Sequence, residues 1–299
     1  MPDQTRRSIV VAVAPVPMDA ALKYAADEAV RVGTSLHLVH VVARLEQGPE
    51  TVPLVSLDLE GRGRLVLQNS IEYLAQHSSH ALSITSELVA GPVVPALVQA
   101  ANRASTVVLQ RRHLSRARRV VTRSISSGVA ARSRVPVVSV PERWAPIHSF
   151  DDGSTVTVGI DDPRGARPVL EAARDAARLS RARLSVVHVW TLPGDYEQFA
   201  LTVPERTAWV ERAECEVAAL LGEVDTTGVE VSLEVTHGPA TDVLLEYARE
   251  SDLLVIGRRD PWMRLPAHLG PVARAVLREA PCPVVLVDVA RDDESRTGR

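Results

Sequence analysis

Gly257 and Gly270 bracket the stretch of this chain best suited to grip an anion. The apolar run DLLVIG (252–257) ends at Gly257, Arg258, Arg259 and Asp260 follow, and after nine intervening residues Gly270 and Pro271 open a helical pattern. A glycine closing a strand lets the backbone approach a ligand and adopt positive φ. A helix start offers N–H groups and partial positive charge, which suit an anion. The same two glycines would equally serve to turn the chain and to precede a helix, so alone they specify no ligand.

Other chemistry-bearing residues say less. Asp161 and Asp162 are adjacent in a loop and need not converge on a substrate as acid and base. QRRHLSRARRVVTR (110–123) holds six arginines and a histidine, a candidate surface for an anion, a nucleic acid or an acidic protein. Base-stacking aromatics are nearly absent there and the chain as a whole is acidic, so a nucleic acid is disfavoured. A solvated loop, or a patch facing the acidic half of the chain, accounts for most such charge runs. His77 and His80 lack the carboxylates or cysteines that would complete a metal shell. Cys282, in APCPV, reads as a small buried apolar residue. His40 and His188 stand at equivalent strand ends, where a duplicated packing position would put them. There is no G-x-S-x-G, G-x-x-x-x-G-K-(S/T) or H-E-x-x-H pattern. No enzyme is expected, slow ATP hydrolysis being the one activity left open.

The elements that must position these residues come twice. IVVAVA (9–14) parallels VTVGID (156–161), the segment 87–110 parallels 234–257, and 123–140 parallels 270–287, all at an offset of 147. LHLVHVV (36–42) matches LSVVHVW (184–190) at 148, so one inserted residue was later compensated. The chain is therefore a duplication. The expected division is a first domain over 1–145, a second over 152–290 and a polar tail over 291–299, with WAPIHSFDDG (144–153) as linker. Strands are expected in the second half near 155–161, 183–190, 230–236, 252–257 and 283–287. Helices are expected near 164–181, 204–222, 240–250 and 270–280. Strand–helix alternation with nearly continuous apolar strands predicts an α/β fold: two tandem doubly wound parallel-sheet, Rossmann-like domains. The ligand crevice would then lie after strands one, two and four of each domain.

Bulk composition sets limits. The 299 residues are 45% apolar and 24% charged, the profile of a soluble globular protein of two ordinary domains. No apolar run approaches a membrane span, and MPDQTRRSIVVAVA reads as a first strand because Pro15 and Pro17 interrupt it. Two cysteines exclude a disulfide framework and make a cytoplasmic location the expectation. Residues 1–147 carry 17 basic and 11 acidic groups, a net +6, whereas 148–299 carry 17 and 26, a net −9. That asymmetry would modestly favour docking of the two halves.

Several segments together carry a resemblance: V-G-x-D (Val158, Gly159, Asp161), a second strand ending His188-Val189, Gly238-Pro239, DLLVIG (252–257) and APCPV (280–284). Each half resembles a universal stress protein domain, with the related adenine nucleotide alpha hydrolase-like fold, and the resemblance covers almost the whole chain twice. It implies a stress-associated regulatory protein. ATP-binding members of that family carry G-2x-G-9x-G-(S/T) after strand four for the phosphates, a strand-one aspartate for the nucleoside, and a base pocket lined by the end of strand two.

Carried over by position, the resemblance makes Gly159, Asp161, Val189, Gly238, Gly257, Arg258 and Gly270 the candidate binding residues. The second half departs from the motif at Asp260, where a glycine is expected, and at Pro271, where a hydroxyl is expected. A carboxylate repels phosphates, and proline lacks both a hydroxyl and an N–H donor. Arg258 and Arg259 would compensate by pairing phosphates, or serve as solvated loop charges. In the first half Ala14 replaces the aspartate, and Gln110, His113 and Arg123 replace the three glycines, leaving only Ser124. The implication is weak or altered binding of ATP or another adenine nucleotide, with Mg²⁺ as a possible companion, confined to the second domain. The alternative is a nucleotide-free scaffold with both pockets vestigial. The resemblance further implies that the last strands, PVVSV (136–140) and PVVLV (283–287), pair within the chain. A homodimer and an unidentified protein partner are compatible with it, and no membrane is.

Overall fold

A computed structural model describes residues 7–42, 58–78, 80–111, 125–146, 153–191, 202–258 and 269–289. The chain divides into two compact units, Met1–Ala145 and Pro146–Arg299.

Unit 1 contains β1 (Ile9–Val13), α1 (Asp19–Val32), β2 (Leu36–Val42), α2 (Leu59–His77), β3 (Ile84–Ala90), α3 (Val93–Ala101), β4 (Thr106–Arg111), α4 (Ile125–Ala130) and β5 (Val137–Pro141). Its strand order is β3-β2-β1-β4-β5, with every pairing parallel. Unit 2 repeats the plan with β6 (Thr155–Ile160), α5 (Arg167–Ser180), β7 (Arg183–Trp190), α6 (Val203–Gly222), β8 (Val231–His237), α7 (Ala240–Tyr247), β9 (Leu253–Gly257), α8 (Pro271–Glu279) and β10 (Val284–Val287). Its order is β8-β7-β6-β9-β10, again parallel throughout. This is the expected doubly wound α/β fold, in two copies.

The local causes are legible residue by residue. Runs of valine, leucine and isoleucine in β6, β7 and β9 are buried because helices cover both faces of the sheet. Gly159 faces Leu244 of α7, whereas Gly257, one step further along the register, faces Val169 of α5. Helix α5 buries Val169, Leu170, Ala173 and Ala177 on one stripe and pairs Arg167 with Glu171 at 2.9 Å on the other. Helix α6 starts at a capping box formed by Thr202 and Glu205.

Three boundaries shift from the expected ones. Strand β6 stops at Ile160, so Asp161 is the first loop residue. The expected helix over 164–181 begins as a 3-10 turn, Pro163–Gly165, before α5 starts at Arg167. Pro168 sits in the first turn of α5, where its missing N–H has no intrahelical partner to lose. Helix α7 ends at Tyr247, where the Ser251 hydroxyl donates to the Tyr247 carbonyl at 2.7 Å. The chain between them tightens to three-residue spacing, with Glu250 N–H donating to the same carbonyl at 3.1 Å.

In each unit the chain builds outward from its first strand to the second and third, then crosses back to the fourth and fifth. The switch point lies between β1 and β4 in unit 1, and between β6 and β9 in unit 2. A crevice at the carboxyl ends of those strands is the natural ligand position of such folds.

Candidate functional site

Asp161 follows β6 directly and is exposed at the crevice of unit 2. The strand end beneath it is held by His188 on β7, whose Nδ1 lies 3.0 Å from the carbonyl oxygen of Ile160. A carbonyl only accepts, so Nδ1 carries the proton. Unit 1 repeats the contact between His40 Nδ1 and the Val13 carbonyl at 2.8 Å, although Ala14 there has no carboxylate to position. Sequence reasoning left these histidines as packing positions; they are fasteners between the first two strands. Asp162 is spent locally: its carboxylate accepts from Arg164 N–H at 3.1 Å and from the Arg164 guanidinium at 3.2 and 3.1 Å.

Gly159 on β6 and Gly257 at the end of β9 both have close neighbours. A Cβ at Gly159 would lie 2.9 Å from Leu244 Cδ2 and 3.1 Å from Ile256 Cγ2, so α7 packs directly on the strand. A Cβ at Gly257 would lie 2.9 Å from Val289 Cγ1. Gly238 has a φ of 151°, which turns β8 into α7, and Gly91 makes the same turn in unit 1 at 149°. The G-P pair is thus kept in both units for a backbone reason that needs no ligand. Gly270 is the N-cap of α8 with an ordinary φ of −57° and no capping side chain, and Pro271 takes the next position.

Val189 is half-buried on β7 opposite Thr236. Beside it Trp190, 7% exposed, stacks on Trp209 of α6, with centroids 6.2 Å apart and planes at 9°. The His237 ring lies 4.4 Å from Trp190. The counterparts of Trp190 and His237 in unit 1 are Val42 and Ala90, so unit 2 alone has this aromatic wall at the ends of its second and third strands. Sequence reasoning missed it, although two of only four tryptophans meet there.

Arg258 is 2% exposed and is held by Asp288, immediately beyond β10: its Nε and Nη2 donate to the two carboxylate oxygens at 2.7 and 2.8 Å. The guanidinium expected to meet phosphates therefore already has an anion. Asp288 has no acidic counterpart in unit 1, where Pro141 stands, and that difference was the available signal.

In unit 1 the position of the first motif glycine is filled. Gln110 Nε2 donates to the Pro17 carbonyl at 2.6 Å, and its Oε1 accepts from the Ala21 N–H at 3.2 Å. One side chain from β4 thus ties down the loop after β1 and caps the first turn of α1, whose own N-cap residue, Met18, supplies no side-chain bond.

Arg259, Asp260, His113, Arg123, Ser124 and residues 112–123 of the arginine-rich stretch lie outside the described residues. His77 Nδ1 donates to the Tyr73 carbonyl at 2.8 Å and its ring stacks on Tyr73, while Cys282 is buried. Among the described residues no group of three or more metal-ligating side chains converges, and no helix is long and apolar enough to cross a membrane. Among the described residues of unit 2, Asp161 is exposed after β6 and Arg258 already pairs with Asp288, while residues 259–268, where the resemblance puts the phosphates, lie outside them.

Comparison with known proteins agrees with the duplicated plan. A model of the universal stress protein family matches residues 5–141 and again 154–288. A universal stress protein of Mycobacterium tuberculosis is 26% identical over 310 residues, covering 97% of both chains. Another from the same organism is 28% identical over 281 residues, covering 90% of this chain and 92% of its own. The crystal structure of a universal stress protein from Archaeoglobus fulgidus superposes with a TM-score of 0.71 at 18% identity, over 97% of this chain and 99% of that one, a likeness of fold.

Proposed function

The chain belongs to the universal stress protein family, and from that premise we propose that it is a stress-associated regulatory protein in which only unit 2 keeps a binding crevice for an adenine compound. One observation carries the reading: Gln110 plugs the crevice of unit 1 with two hydrogen bonds, whereas Gly257 holds the same position in unit 2. Asp161 stands exposed after β6, and the exposed ring of Trp209, backed by the buried Trp190, is the aromatic surface proposed for the purine. Binding rather than turnover is proposed, since the sequence holds no G-x-S-x-G, G-x-x-x-x-G-K-(S/T) or H-E-x-x-H pattern. Titration of the purified chain with adenine compounds, with and without Mg²⁺, tests the reading. Heat that vanishes in Asp161→Ala and persists in Gln110→Ala supports it; no heat with any of them refutes it.

A nucleotide-free scaffold is the second reading. It is favoured by the Arg258–Asp288 pair and by Gly159 and Gly238, each of which has a reason to be kept without a ligand. Under either reading we propose that the apolar last strands pair within the chain. The purified protein should then sediment as a single chain, and twice that mass would point to a homodimer instead.

A further inference from the structure

Arg258 and Asp288 bear on which adenine compound the crevice suits. Strands β9 and β10 are parallel neighbours with Val287 opposite Gly257, so the two charged residues face one another at the first position beyond both strands. Nε and Nη2 of Arg258 donate to separate oxygens of Asp288 at 2.7 and 2.8 Å. A planar guanidinium grips a phosphate with the same two-point geometry. Asp288 thus fills, from within the chain, the donors a phosphate would use.

Displacing it is unfavourable on two grounds. The Arg258 side chain is 2% exposed and that of Asp288 37%, so a phosphate would have to take a buried guanidinium from its partner and leave the carboxylate without its arginine. The displaced carboxylate would then stand beside the incoming phosphate with the same sign of charge. Among the described neighbours, Pro271 opens α8 without an N–H or a hydroxyl and Gly270 brings no side chain, and residues 148–299 carry a net charge of −9. A ligand without phosphates meets none of these obstacles.

We propose that the Arg258–Asp288 pair makes unit 2 select an adenine nucleoside without a phosphate chain over ATP. The inference rests on the adenine reading given above and narrows it. Asp288 acts as a built-in stand-in for phosphate: it neutralises the buried arginine and leaves the nucleoside part of the crevice as the recognised part.

Calorimetric titration of the full chain with adenosine, and separately with ATP and Mg²⁺, tests this on the wild type and on Asp288→Asn. The wild type should bind adenosine at least about tenfold more tightly than ATP. In Asp288→Asn that ratio should fall by about tenfold through a gain in ATP affinity, with adenosine changed less than about twofold. ATP binding as tight as adenosine in the wild type overturns the proposal and leaves the adenine reading standing. An unchanged ratio in a variant that still melts cooperatively overturns it too. If the variant fails to fold, the wild-type ratio decides alone. Absence of heat from both ligands removes the adenine reading and this inference with it.

Discussion

Nδ1 of His188 donates to the carbonyl oxygen of Ile160 at 3.0 Å, one residue before Asp161, and both rings of the duplicated pair, His40 and His188, are 8% exposed. The contact fixes where β6 ends and hence where the Asp161 carboxylate begins. His188→Leu orphans a carbonyl at a buried strand end, and a loss of about 1–3 kcal/mol in denaturant unfolding is expected. Adenosine affinity should fall with it. His40→Leu should destabilise to a similar degree and leave ligand affinity unchanged; an equal loss of binding in both variants would show that unit 2 is not the binding unit.

Gln110→Ala removes two hydrogen bonds from the loop between β1 and α1, one of them the cap on Ala21. The expected destabilisation is about 1–2 kcal/mol, by urea titration. Gln110→Gly should cost no less and should create no ATP site. A stability unchanged in Gln110→Ala would mean that the plug contributes nothing to unit 1.

Gly159 and Leu244 form a packing pair, with 2.9 Å between the Cδ2 and the missing Cβ position. Gly159→Ala should cost about 1–3 kcal/mol through overpacking. Combining it with Leu244→Ala should cost less than the two single losses together, because the cavity accepts the added methyl. Additive losses would place the glycine's importance elsewhere.

Arg181 ends α5 at φ 53°, the left-handed conformation that its counterpart Gly33 adopts in unit 1 at 65°. Arg181→Gly relieves a Cβ clash at the price of a more flexible unfolded chain. A net gain of about 0.5 kcal/mol is expected, seen as a higher urea midpoint. A lower midpoint would indicate that the Arg181 side chain contributes more than the strain removes.

The fold was legible because it is written as periodicity. Apolar runs such as DLLVIG and VTVGI can only be covered strands, and repetition at a fixed offset forces two copies of one topology. The filled position in unit 1 was legible in the same way, since Gln110 stands where the family motif has a glycine, although not which bonds it would make. Contacts between residues distant in sequence were not legible. Nothing local to Arg258 says that Asp288, 30 residues on, will neutralise it, and nothing near Trp190 points to Trp209 on the following helix. The resemblance makes Gly238 a binding candidate, and its φ of 151° adds a turn into α7 that Gly91 also makes in unit 1.

The Gln110 bridge couples room and order in unit 1. One amide from β4 ties Pro17 to Ala21, so a glycine at that position would gain space only by removing two hydrogen bonds from the loop that borders it. Opening a crevice there and loosening its rim are one and the same change.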